Sequence, residues 1–182
     1  MSNSKKIDVR LLIIAALMLA LAILLPQIFG RIQFLGTKFL PMHIPVLLCG
    51  FICGPTWGMA VGAATPLLRS VVFGAPAPFM PTAVAMAFEL AAYGFIAGML
   101  YKKLNKNIFL TYLALITAMV GGRLVWGLVM FVLIFAGQAE GEVGFMLIWS
   151  RTVLNCIPGI ILQLVAIPPI ITVLRKNRLM LN

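Results

Sequence analysis

Residues 108–136 read IFLTYLALITAMVGGRLVWGLVMFVLIFA, a run of 29 residues with one charged side chain, Arg123. A helix of that length rises past the ~30 Å hydrocarbon core of a bilayer. No soluble domain exposes such a segment to water, so this stretch places the chain in a membrane. Arg123, set in the middle of it, becomes the first residue to explain.

The rest of the chain has the same character. Of 182 residues, 63% are hydrophobic and only 10% charged, with a mean hydropathy of +1.11. A soluble domain carries roughly a quarter charged residues. The fold class is therefore all-α: a polytopic membrane protein in one bundle, without room for a separate soluble domain. The formal charge of +10 does not mark a nucleic-acid surface. Nine of the fourteen cations form three clusters that flank apolar segments: Lys5, Lys6 and Arg10; Lys102, Lys103 and Lys106; Arg175, Lys176 and Arg178. That is the pattern of positive-inside topology.

Working outward, helix 1 is predicted over about Asp8 to Phe29, read as a retained first span because Leu11 to Leu25 lacks a small-x-small cleavage site. A polar connection, Gly30 to Lys38, follows. Phe39 to Phe73 is too long for one span, and Gly54-Pro55 is its natural break, giving helix 2 up to Cys53 and helix 3 from Thr56. Both are short, so a re-entrant pair is the alternative. A tight turn at Gly74 to Pro78 leads to helix 4, Met80 to Tyr101. Helix 5 covers Ile108 to Ala136, and helix 6 runs from Phe145 to Leu174, kinked at Pro158 and Pro168-Pro169. Six transmembrane helices put both termini on the cytoplasmic side and leave Arg31, Lys38, Glu140 and Glu142 outside.

Ionised side chains at membrane depth are costly and persist where they pair or line a cavity. Arg69, Glu89, Arg123 and Arg151 are four such groups. Three cations against one carboxylate leave surplus positive charge and suggest an anionic guest held by a fork-shaped guanidinium. The competing readings are that Glu89 neutralises Arg123 or Arg69 and that Arg69 or Arg151 snorkels to lipid phosphate. Trp126, three positions after Arg123, shares its face and is a candidate to pack on a ligand. Trp149 is an interfacial anchor or a pocket residue. Asn155 and Gln163 are polar residues of helix 6 that bond a guest or a neighbouring helix. His43, between Pro41 and Pro45, reads first as a hydrogen-bonded structural residue at the start of helix 2.

Small residues recur every fourth position: Ala16 and Ala20; Gly50, Gly54, Gly58 and Gly62; Ala83, Ala87 and Ala91; Gly94 and Gly98. In lipid these permit close helix approach. Internal packing explains most of them, with a partner surface the alternative for Ala16 and Ala20. Cys49, Cys53 and Cys156 read as small packing residues, since no His or carboxylate completes a metal site near them. The chain lacks a G-x-x-x-x-G-K-[ST] loop, an H-E-x-x-H helix and a nucleophile elbow.

Taken in order along the chain, these features resemble the substrate-binding S components of energy-coupling factor (ECF) vitamin transporters. The size, helix count and cytoplasmic termini match. So do Ala16-x-x-x-Ala20 on helix 1, the polar connection Gly30 to Lys38, and Leu40-Pro41-Met42-His43-Ile44-Pro45-Val46 followed by the Gly-rich Leu48 to Pro55. The resemblance implies a prokaryotic plasma-membrane subunit that is not an enzyme and binds a vitamin near the external side. Helices 1–3 (about 8–73) would face a transmembrane T subunit, and helices 4–6 (about 80–174) with the first loop would enclose the solute. Two cytosolic ATPase subunits would drive the cycle. Arg69, Glu89, Arg123, Trp126, Arg151, Asn155, His43 and Lys38 are then the candidate binding residues, and Ala16 and Ala20 the partner contact. The start of helix 2 is similar to pantothenate-type members. A lipid-modifying enzyme using Glu89 or His43, and a self-sufficient homo-oligomeric transporter, are the readings from other classes.

Overall fold

The computed structural model describes residues 8–30, 41–75, 79–104, 107–137, 157–177 and 180. Within them lie six α-helices: α1 (Val9–Gly30), α2 (His43–Cys53), α3 (Pro55–Phe73), α4 (Val84–Lys103), α5 (Ile108–Phe135) and α6 (Ile157–Lys176). The chain is all-helical over the described residues. Four of these helices, α1, α4, α5 and α6, are long and apolar enough to cross a membrane. With 11 residues, α2 rises only about 16 Å, roughly half the hydrocarbon thickness.

The α2–α3 break falls where the sequence places it. Gly54 takes φ 94°, a left-handed backbone that side chains resist, and its N–H still reaches the Gly50 carbonyl at 3.1 Å. Pro55 then opens α3, where its missing N–H costs nothing. α3 stops at Gly74, whose φ of 63° lets its N–H return to Ser70 at 2.9 Å. Ahead of α4 lies a π-helical turn, Phe79–Ala83, containing Pro81, which donates no hydrogen bond; the regular α-helix therefore begins later than Met80. In α6, Pro168-Pro169 lies inside the helix, as the sequence predicts, and Pro158 stands beside the start of the described segment. Expected helix 6 residues 145–156 lie outside the described residues.

α4 is the hub, packing on α2, α3 and α5. α1 lies against α2 and α3, and α6 rests on α5 and α2. The hub is built on the four-residue glycine spacing. A Cβ on Gly94 would fall on the Gly58 carbonyl, one on Gly62 on the Leu90 carbonyl, and one on Gly98 within 2.7 Å of the Gly50 carbonyl. Backbone therefore meets backbone along α2, α3 and α4, and any side chain there would drive the helices apart. Hydroxyls inside the helices bond back within their own turns, as Thr65 Oγ1 does to the Val61 carbonyl at 2.7 Å, so lipid meets few bare polar groups.

Candidate functional site

Glu89 stands on α4 with its side chain 2% exposed, and Arg123 reaches it from α5 at 3.1 Å, Nη1 to Oε1, with 14% exposure. The charge pairing weighed from sequence is thus made between these two. One helical turn along α4, the Tyr93 hydroxyl donates to the same Glu89 oxygen at 2.9 Å. That Oε1 accepts from a guanidinium and a phenol at once, so the buried side chain has two donors in apolar surroundings. The other face of Tyr93 meets His43, ring centroids 5.3 Å apart and tilted by 56°. His43 is itself buried, so α2 begins level with Tyr93, part-way down the bundle.

Gly122 makes this meeting possible, since a Cβ there would strike the Tyr93 ring and lie 3.1 Å from the Glu89 carbonyl. It precedes Arg123, so the close α4–α5 approach and the ion pair are set by neighbouring residues. Beside them a cavity of about 480 Å³ opens between α4, α5 and α6, within the ~300–1,000 Å³ typical of small-molecule sites. Tyr93 and Arg123 supply its polar edge, while Ile116, Met119, Val120 and Leu124 of α5 and Ile160 and Leu164 of α6 form the apolar wall.

The other sequence candidates distribute differently. Trp126 is buried in a satellite cluster with Ala85 and Met130, one turn from Arg123 and not on the cavity wall. Arg69, near the end of α3, has its Nε buried without a hydrogen-bond partner among the described residues. Gln163, on α6 and buried, has neither amide atom bonded among the described residues. Cys49 and Cys53 are buried and free, and no group of three metal-ligating side chains occurs among the described residues. Ala16 and Ala20 are exposed on α1, whereas Ala15 and Ala22 turn into the bundle. Lys38, Arg151, Asn155 and Trp149 lie outside the described residues. The reading from sequence missed Tyr93 and the aliphatic wall. Tyr93 was detectable as the residue four positions after Glu89, on the same helix face.

A family model described as "ECF transporter, substrate-specific component" matches residues 10–171, nearly the whole chain. The chain belongs to this family. It is therefore a multi-pass membrane subunit for substrate binding in uptake; S components of this family bind a small molecule and associate with transmembrane and ATPase modules. Neither the curated proteins nor the solved structures compared with the chain include a match.

Proposed function

We propose that this S component captures a vitamin or vitamin precursor in the cavity between α4, α5 and α6 and delivers it to an ATP-driven ECF module. The observation that carries the reading is the 480 Å³ void walled by aliphatic side chains and edged by Arg123 and Tyr93. Helices α4–α6 then form the solute half and α1–α3 the coupling half, with Ala16 and Ala20 directed at the T subunit. Exposed small residues on an outward helix face are what a closely packing transmembrane partner needs. The flanking basic clusters put both termini in the cytoplasm.

Isothermal titration of the purified chain against a vitamin panel that includes pantothenate tests the reading. One panel member should bind, and Arg123→Ala should weaken it by roughly 10- to 100-fold, the value of a hydrogen bond to a charged group. Binding unchanged in Arg123→Ala rejects the cavity as the solute's seat. Uptake into liposomes by this chain without ATPase subunits would reject the delivery role and favour a self-sufficient transporter.

A further inference from the structure

The charge of Arg123 is already answered within the protein. Glu89, its partner at 3.1 Å, is buried and also accepts from Tyr93, so among the described residues the cation on the cavity's edge is already matched by a carboxylate. The other described residues of the lining are apolar. A carboxylate or phosphate moving in would lose its hydration in apolar surroundings, share a guanidinium with a carboxylate bound closer, and meet the negative charge of Glu89. A neutral carbonyl or hydroxyl loses far less on desolvation and still accepts a hydrogen bond from the guanidinium. We infer that the cavity selects a neutral, mainly apolar solute carrying one hydrogen-bond acceptor that docks at Arg123, and that Glu89 is the positioning residue which sets this preference against anions. The inference rests on the cavity being the solute's seat, and it replaces the anionic guest expected from the cation surplus at this position.

The test compares an acid with its amide. Binding of 4-phenylbutyrate and 4-phenylbutyramide, identical in their apolar body, is measured by saturation-transfer NMR on the full chain in lipid nanodiscs, with empty nanodiscs subtracted. Site binding is the part abolished by cavity-filling Leu164→Trp or, should that variant not fold, Ile116→Trp. The amide should bind at least ten-fold tighter than the acid in the natural sequence. Glu89→Gln, which keeps the shape and the Tyr93 contact but exposes the charge of Arg123, should bring the acid level with the amide or ahead of it. Tighter binding of the acid in the natural sequence overturns the neutral-solute inference and leaves the cavity as the seat. If neither probe shows binding that the filled cavity removes, the seat itself is overturned, and the inference with it. The acid–amide comparison in the natural sequence needs no variant to fold.

Discussion

At the residue scale, Glu89 and Arg123 show how a membrane interior treats charge. Removing one partner of a buried pair leaves the other uncompensated, at a cost of about 3–5 kcal/mol. Glu89→Ala should therefore lower thermal stability sharply, read as a drop in the melting temperature of the detergent-purified protein. Glu89→Gln should lose less, because the amide still accepts from the Tyr93 hydroxyl. Tyr93→Phe removes one neutral donor to a carboxylate that keeps its guanidinium, so its effect should be about 1 kcal/mol, well short of Glu89→Ala in the same melt. Glu89 and Arg123 were legible in the sequence because each interrupts an apolar run. That Arg123 is the partner of Glu89, and Arg69 is not, required knowing which helices touch. A single sequence offers two cations to one carboxylate with no means of choosing between them.

At the element scale, the glycine spacing carried more information than any motif. It announced helices that approach at backbone distance, and α2, α3 and α4 do so at Gly50, Gly58, Gly62, Gly94 and Gly98. Gly94→Val should be far more damaging than a typical overpacked core position, whose cost is about 1–3 kcal/mol. Here the obstruction is a carbonyl of the facing helix and not the tip of a flexible side chain. The expected outcome is loss of monodisperse protein on size-exclusion chromatography, whereas Gly137→Ala, with open space around it, should leave the elution profile unchanged apart from a small strain effect of its positive φ. The helix limits of α1, α3 and α5 agree with the sequence reading to about a residue, since Gly, Pro and Lys mark them. The start of α4 does not, because Pro81 converts its first turn to the wider π form. The cavity wall was not legible. Ile116 and Val120 are themselves exposed along α5, and in a bilayer apolarity does not separate a cavity wall from the lipid-facing surface.

At the scale of the whole molecule, the chain divides into a backbone-locked hub and a periphery. Ala16 and Ala20 lie on the periphery, on the outward face of α1. Replacing both with Leu should abolish co-purification with the T subunit while leaving solute affinity in the isolated chain unchanged; loss of solute binding as well would return those alanines to internal packing. The seam along α2, α3 and α4 has one more consequence. Its amides have no slack in which to open, whereas α6 packs only lightly on α5 and α2 among the described residues and carries a proline pair at positions 168 and 169. Deuterium should enter α6 first and the seam last. Any breathing that admits a guest between α5 and α6 would then hinge on the outer helix, while the three-helix block stays as fixed as a doorframe.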